Sequence, residues 1–596
     1  MGRSDTMGYG SMGSLYLGVS GLQTSQTALN VTAHNMANVD TPGYVRQQIV
    51  QTSSEYFRYA FNPVNDMTVG SGTAVSVVRQ VRNEFIDRQY RQELGRQSFY
   101  EERAKAVSEI QGYFGEMEGA TFQGIISNLW SSMVAVQEEP DSIVARRALI
   151  QSSVTFIERA KQINDSLNKY QENLNVQILD KVNEINKLGE RIGVLNQEIA
   201  KVELAGVEKA NDLRDERNLC LDELSKLIDI TYTERGSGVE VMAEGKVFVS
   251  PVRVYRLDVE QMSGSNMYNV VWRDHAGEDV FHFWPAPSAE DNTDTGSLKA
   301  LLYTRGMKDT NYTDIPTKPK AEDFADPAAY QAALTQYNQD VDTYDKEVSN
   351  YAVANLQAQF DQLMHSMVTA INDVFCPNTT ASFTVKDPVT GNVTTYNNVK
   401  VLDLEKAPIG MDQDAQPGVE LFKRASMDRY TKVEGEDGNT YYIYNEEDKS
   451  NTYSLYTVGE LEVNPEVLAD NGSKLPLSNN DRTGAYDQKV ADQLIDIWRD
   501  TGMFLGPHTL TPCNFNDYYA AMIGDLGNRG MEYINISNSQ ASVTNDLNNE
   551  RLKTAGTSSD EELSNMIKFQ HAYNAAARYV NVVSEMLDLL VNQLGR

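Results

Sequence analysis

Apolar side chains recur at alternating spacings of three and four near both ends of the chain. The first row consists of Leu15, Val19, Leu22, Gln26, Leu29, Ala33 and Met36. The apolar members of the last row are Leu563, Met566, Tyr573, Ala577, Val580, Leu587, Val591 and Leu594. Residues three and four apart share one helix face, so each row predicts a coiled-coil seam. Because short helices gain most of their stability from packing, we expect the two seams to pair and to act in assembly.

A sharp stop follows the first seam. Asn38 and Thr41 favour caps and turns, and Pro42 moves the residue before it out of the helical region. Pro42-Gly43 fits the centre of a type II turn, because glycine accepts a positive φ. A strand-like run begins at Tyr44. The sequence therefore predicts a signature turn at Asn38, Thr41, Pro42, Gly43 and Tyr44 that ends the helix and starts a strand.

Between the two ends, helical and strand patterns alternate in blocks. From about residue 84 to 230 the pattern is helical, and the seam between Leu167 and Val202 predicts a long rod-like helix. Valines punctuated by Gly and Pro then predict strands, including Tyr268 to Trp272 and Val280 to Trp284. The block order is helix, bundle, β, helix, β, bundle, helix. This near-palindrome predicts nesting, with the ends paired and the β domains protruding from the bundle.

The predicted fold class is multidomain α+β, with a terminal coiled coil, a long helical rod and β-rich domains inserted in the middle. Residues 1–11 are expected to be a disordered leader. The further domains are a terminal assembly domain (12–60 plus 556–596), a helical rod (61–230 plus 487–555), a β-rich domain (231–310), a helical insertion with a return helix (311–376) and an acidic, Tyr-rich, surface-exposed β domain (377–486).

Composition narrows the function classes. The net charge is −32 in 596 residues, which disfavours binding to nucleic acid and to anionic lipid. No run approaches the roughly 20 apolar residues of a membrane span. The N-terminus lacks a basic region followed by an apolar one, so no secretory signal peptide is predicted.

Known catalytic and metal-binding patterns are missing from the sequence. The six histidines form no HExxH motif, and Cys220, Cys376 and Cys513 lie far apart without CxxC spacing. There is no GxSxG elbow, P-loop or EF-hand loop. We therefore predict no catalytic residues, no cofactor and no metal. The tyrosines between 430 and 456 leave glycan binding open, although strand packing is their ordinary role.

Both ends of the chain resemble one family. The segments Ser20-Gly21-Leu22, Asn35 to Asn38 and Thr41 to Tyr44 resemble the N-terminal signature of bacterial flagellar rod, hook and hook-associated proteins. The C-terminal run EELSNMIKFQHAYNAAARYVNVVSEMLDLL is similar to the matching C-terminal signature. Rod and hook proteins have mainly β middles. The helical middle here, with Glu139-Pro140-Asp141 and the run from Asp212 to Arg217, resembles the junction protein between hook and filament.

The resemblance implies a structural, non-enzymatic subunit of the extracellular flagellum that is exported through the flagellar type III channel without a cleavable signal. It implies self-assembly into a helical layer. The implied partners are the hook protein, the second junction protein (hook-associated protein 3) and a cytoplasmic export chaperone at the C-terminal helix. One alternative is a hook or distal rod protein. An alternative of another class is a secreted enzyme or glycan-binding module on a flagellar scaffold.

Overall fold

The computed structural model describes residues 5–62, 65–115, 121–204, 206, 208–324, 326–386, 393–412, 415–470, 472–478 and 486–592. Its helices are α1 (Asp5–Ala37), α2 (Glu84–Phe114), α3 (Phe122–Glu138), α4 (Ile143–Glu203), α5 (Asn211–Leu227), α6 (Ser297–Arg305), α7 (Pro327–Tyr344), α8 (Ala352–Phe375), α9 (Pro465–Ala469), α10 (Gln488–Arg499), α11 (Phe515–Ala555) and α12 (Ser559–Asn592). Long helices at both ends and small sheets in the middle confirm the predicted α+β multidomain class.

The strands form small antiparallel sheets. They are β1 (Gln47–Ser53), β2 (Tyr56–Asn62), β3 (Asn65–Gly70), β4 (Thr73–Gln80), β5 (Ile230–Arg235), β6 (Gly238–Ala243), β7 (Lys246–Val249), β8 (Leu257–Gln261), β9 (Tyr268–Trp272), β10 (Glu278–Asp279), β11 (Asn378–Lys386), β12 (Val393–Leu402), β13 (Phe422–Arg424), β14 (Tyr430–Glu434), β15 (Thr440–Tyr444) and β16 (Leu461–Val463). The sheets have the orders β1-β4, β2-β3, β5-β6-β7, β8-β9-β10, β11-β12-β15-β14 and β13-β16.

Helix α4 is the long rod that the sequence predicts. Its 61 residues begin after Pro140, and the Ser142 side chain accepts the backbone N–H of Ala145 as a cap. Its seam residues Leu174, Ile185 and Ile192 are buried in the main hydrophobic core. Helices α2 and α11 pack along each other and complete the helical rod.

The first β domain is docked on α4. Three asparagines of α4 explain the docking. Asn196 and Asn186 each donate to a strand carbonyl and accept from the backbone N–H of the same residue, Val239 and Leu257 respectively, at 2.9 to 3.0 Å. Asn175 makes the same kind of pair with the carbonyl of Asn266 and the N–H of Tyr268. Each amide thus makes two hydrogen bonds with the backbone near the start of a strand, which fixes the sheets against the helix.

The second β segment, predicted as an exposed domain over 377–486, has two parts. The four-stranded sheet β11-β12-β15-β14 is largely solvent-exposed. The smaller sheet β13-β16 joins the rod core, where the Phe422 ring lies 6.4 Å from that of Phe156. Asn372 of α8 bonds both the N–H and the carbonyl of Phe422. Hydrophobic burial against the rod therefore overrides the polar composition of this segment.

Smaller differences concern the element bounds. The expected disordered leader is helical from Asp5, because no proline interrupts α1 and each added residue gains a helical hydrogen bond. The segment assigned to the rod from residue 61 holds the end of β2 and the strands β3 and β4, and α2 begins only at Glu84. The predicted strand over Val280 to Trp284 does not form, and the neighbouring strand β10 covers only Glu278–Asp279. Among the described helices, none is long and apolar enough to cross a membrane.

Candidate assembly site at the chain ends

Helices α1 and α12 pack side by side in antiparallel directions. At one end the Asn35 amide reaches the Glu562 carboxylate at 3.2 Å. Towards the other end, a Cβ built on Gly21 would lie 3.4 Å from the Cβ of Ala576, and one built on Gly18 would lie 2.6 Å from Cγ2 of Val580. The chain ends therefore form one unit, which we call the terminal pair (α1 with α12).

Small side chains of α1 form the contact with α12. They recur three and four apart and are all buried or partly buried. They are Gly18, Gly21, Ser25, Ala28, Thr32 and Asn35. This face allows close approach of the two helices, since anything larger than hydrogen at Gly18 would meet Val580.

The predicted α1 seam is thus displaced from the contact by one position. Leu15, Val19, Leu22, Leu29 and Met36 are only partly covered, and Ala33 is exposed. The small residues lie nearest to α12 because close approach of two helices favours small side chains over large apolar ones. The role of the predicted seam in assembly stays a prediction.

The α12 seam is divided in the same way. Met566, Tyr573, Ala577, Val580 and Leu587 are partly buried. Leu563 and Val591 are exposed, and Leu594 lies outside the described residues. Between Ser559 and Asn592 the buried residues are Glu562 and Val583. The middle of the predicted row, from Met566 to Leu587, is thus partly covered, and Leu563 and Val591 on either side of it are exposed.

Large apolar side chains remain on the outer surface of the terminal pair. They are Tyr16, Leu17, Leu563, Ile567, Tyr579, Val582, Met586, Leu589, Leu590 and Val591. We call this set the outer apolar surface. Exposed apolar surfaces of this kind mark interaction sites.

The signature turn closes α1 as predicted. The Asn38 amide donates to the carbonyl of His34, and the Thr41 hydroxyl donates to Oδ1 of Asn38. The Tyr44 N–H donates to the carbonyl of Thr41 at 3.2 Å, and Gly43 has φ +78°. This geometry fits a type II turn with Pro42 and Gly43 at its centre.

A buried polar cluster joins this turn to α12. The Tyr44 hydroxyl donates to Oδ1 of Asn35 at 2.7 Å. Arg46 donates through Nε to Glu562 at 2.8 Å, and its guanidinium also pairs with Glu561. The backbone of Gln47 exchanges both its N–H and its carbonyl with the Asn35 amide. The clasp, which we define as Asn35, Tyr44, Arg46 and Glu562, thus binds α1, the turn and α12 together.

Helix α5 forms the seat of the signature turn. The Val45 N–H donates to Asp215 at 3.1 Å, and the Gln80 amide donates to the same carboxylate at 2.6 Å. The Gln47 amide donates to Asp212. Burial raises the pKa of Asp215 to about 7 despite these donors. The run from Asp212 to Arg217 therefore positions the turn on the rod.

Buried ion pairs hold the rod together beneath this seat. Arg551 of α11 bridges Asp87 of α2 at 2.8 Å and Asp222 of α5 at 2.9 Å. Arg91 also pairs with Asp222, at 2.6 Å. A charge left alone in such a site would be costly, so these bridges keep the three helices in place.

Of the clasp, only Tyr44 is among the predicted site residues, and the seat on α5 is not. Asn35 and Glu562 belong to the signature segments, yet their roles depend on which face is buried. A signal was available: the six small residues from Gly18 to Asn35 keep the same three-four spacing as the leucines beside them.

The histidine and tyrosine side chains that could bind a metal or a glycan make packing contacts in the structure. His275 stacks on Tyr255 with ring centroids 4.9 Å apart. Within the described ranges, no three His, Cys, Asp or Glu side chains form a group that could hold a metal ion. The tyrosines of the 430–456 cluster surround arginines, with Tyr456 against Arg424 and Tyr444 against Arg429. These rings are used in cation–π contacts.

Three family models match different parts of the chain. The model described as Flagella basal body rod protein covers residues 15–44, which include most of α1 and the signature turn. The model of the Flagellar hook-associated protein FlgK helical domain covers 107–375. The Flagellar basal body rod FlgEFG protein C-terminal model covers 549–594, the region of α12.

Whole-chain relatives carry one name. Flagellar hook-associated protein 1 of Bacillus subtilis is 25% identical over 96% of this chain and 96% of its own length. Its namesake from Salmonella typhimurium is 24% identical over 96% and 98%. A solved structure titled as the flagellar hook junction protein FlgK from Burkholderia pseudomallei has 14% identity and a TM-score of 0.45, covering 78% of this chain and 99% of that one. The family models match both ends and the helical middle, and over 96% of its length this chain is similar to proteins named flagellar hook-associated protein 1.

Proposed function

We propose that this protein is a non-enzymatic junction subunit between the flagellar hook and filament, and that the outer apolar surface of its terminal pair makes the contacts between copies. The observation that best supports this proposal is that the terminal pair has two distinct surfaces, one packed inside the pair and one exposed. Small residues of α1 pack against α12. Side chains such as Leu590 and Val591 are 43% and 69% exposed and face solvent in the single chain. Burial of such side chains against other copies would stabilise an assembly.

Repetition of one such contact builds a tube. A surface that binds a different surface on the next copy gives a heterologous interface, which extends into a ring or helix. Terminal pairs that bind one another when copies meet would form the inner layer, and the rod and sheets would lie outside it. The match of 107–375 to the helical domain of a hook-associated protein supports a junction subunit over a hook or distal rod protein.

The partners follow from the same proposal. The hook protein would bind on one side of the layer and hook-associated protein 3 on the other. Before export through the type III channel, a cytoplasmic chaperone would cover the outer apolar surface of α12. Export of this kind uses no cleavable signal peptide. The subunit would act in the extracellular flagellum.

Loss of the gene tests the proposed role. We expect cells with hooks but without filaments, and flagellin released into the medium. Complementation with the intact gene is the control and should restore filaments. Normal filaments in the deletion strain would contradict the proposal.

A further inference from the structure

The clasp lies where the terminal pair is otherwise weakly held. Between Ser559 and Ile567, all of which the structure describes, Glu562 alone is buried, with 2% of its surface exposed. No apolar side chain of these first two turns of α12 is buried. The start of α12 is therefore held on α1 by polar contacts.

The rest of the contact carries little information about register. The α1 face repeats small residues at heptad spacing, so a shift of seven positions would again oppose small side chains to α12. Such a shift moves α12 by about 10 Å. Residues 556–558 join α11 to α12, and unwinding the first turns of α12 would supply the required length.

We propose that Glu562, held by Asn35 and Arg46, is a positioning residue that fixes the register and docking of α12 on α1. A buried polar group that is satisfied in only one register specifies that register, because any slip leaves it without partners. Here a slip would take the Glu562 carboxylate, which is almost fully buried, away from both Asn35 and Arg46. Arg46 itself is fixed by its N–H, which donates to the carbonyl of Ala555 at 2.8 Å.

The clasp therefore sets where along the terminal pair the outward-facing side chains of α12 lie before copies meet. This consequence for assembly rests on the proposed function, whereas the docking of α12 in the free subunit does not. With the native register, Ala576 opposes Gly21. After a one-heptad slip, Phe569 or Val583 would oppose Gly21 instead, and the outer apolar surface would be displaced along the pair.

Cysteine cross-linking in the free full-length subunit tests the register. Cys220, the partly exposed native thiol, is first replaced by Ala. Gly21→Cys with Ala576→Cys reports the native register, because the Cβ separation of 3.4 Å is close to that of a disulfide. Gly21→Cys with Phe569→Cys or with Val583→Cys reports the two slipped registers.

With the intact clasp, we expect oxidation of the native pair only. Glu562→Leu combined with Asn35→Leu should lower the native cross-link at least about tenfold, and slipped pairs should then form at comparable rates. Glu562→Gln, which keeps an acceptor for Arg46, should give an intermediate result. Glu561→Gln is the matched control, because Glu561 contacts the same arginine from an exposed position, and it should leave the pattern unchanged.

An unchanged yield of the native cross-link in the Leu double variant would overturn the proposed role of Glu562. A loss of the native cross-link in the Glu561→Gln control, as large as in the Leu double variant, would overturn it as well. The melting temperature of the rod, followed in the same samples, should stay constant; its collapse would show that Glu562 supports the general fold rather than the register. None of these outcomes depends on filament formation. The filament phenotype of the gene deletion is therefore independent of the cross-linking pattern.

Discussion

The side chain of Asn35 donates a hydrogen bond to the carboxylate of Glu562, a residue 527 positions later in the chain. Both groups are almost fully buried. This contact brings the beginning and end of the protein to one point, next to the turn that sends the chain into the rod. The terminal pair is thus joined to the rod through a short polar connection, and its remaining length extends as two helices with exposed apolar side chains.

Gly18 should tolerate no side chain. A Cβ at this position would lie 2.6 Å from Val580 and 3.0 Å from Tyr579, so Gly18→Leu should separate α12 from α1. Hydrogen exchange of α12 amides measures the separation and should become faster by about tenfold or more. Gly13→Leu is the matched control in the same helix, because a Cβ there meets no described atom within 4 Å. It should stabilise α1 through helix propensity, and equal effects of the two variants would contradict the close-contact account.

The outer apolar surface should be needed for assembly and dispensable for folding. Leu590→Asp with Val591→Asp removes two exposed side chains, so the melting temperature of the free subunit should change little. Incorporation into flagella, measured by immunolabelling of a complemented deletion strain, should be lost. Asn574→Asp with Asn581→Asp adds the same charge to exposed polar positions of α12 and should incorporate normally. A large fall in the melting temperature of the Leu590/Val591 variant would identify those residues as core.

Phe422 should couple the second β segment to the rod. Its ring is fully buried against Phe156 in the shared core. Phe422→Ala should lower the free energy of unfolding by about 3–5 kcal/mol, through lost burial and the cavity left behind. Calorimetry should show the rod transition moving to lower temperature. Tyr453→Ala changes an exposed ring in the same segment and should leave that transition in place. A rod transition that Phe422→Ala leaves unchanged would mean that the segment and the rod have two independent cores.

Glu420 should make stability depend on pH. Burial raises the pKa of its carboxyl to about 7, above the value near 4.5 in the unfolded chain. The folded state then holds a proton that the unfolded state releases between these values, so stability is fully present below about pH 4.5 and falls as pH rises towards 7. Glu420→Gln keeps an acceptor for Tyr456 and Asn372 and removes this titration. Urea unfolding should show that, between pH 5 and pH 8, the free energy of unfolding of the variant rises relative to that of wild type by on the order of 2–3 kcal/mol. Parallel pH profiles of the two proteins would contradict the buried-carboxyl account.

The sequence predicts the helical elements well because their signal is local. The heptad row of α4 and the Pro140 break identify the rod, and the Pro42-Gly43 step identifies the turn. In α1, hydrophobicity singles out Leu15 and Leu22, whereas the positions of closest approach to α12 include Gly18 and Gly21. Local pattern does not show which neighbour a face will meet.

The docking of the sheets was beyond the local pattern for the same reason. The asparagines of α4 look like ordinary polar positions of an exposed helix face. Only the fold shows that they satisfy strand backbones of the first β domain. The clasp likewise depends on residues that lie more than five hundred positions apart, and no periodicity relates them.

A reconstruction of the isolated hook–filament junction by electron cryomicroscopy tests the central claim most directly. We predict a layer of this protein in which each copy keeps the Gly18–Val580 contact within its own terminal pair, while Leu590 and Val591 are buried between copies. Terminal pairs that face solvent, or a layer in which α1 of one copy binds α12 only of another, would contradict the account.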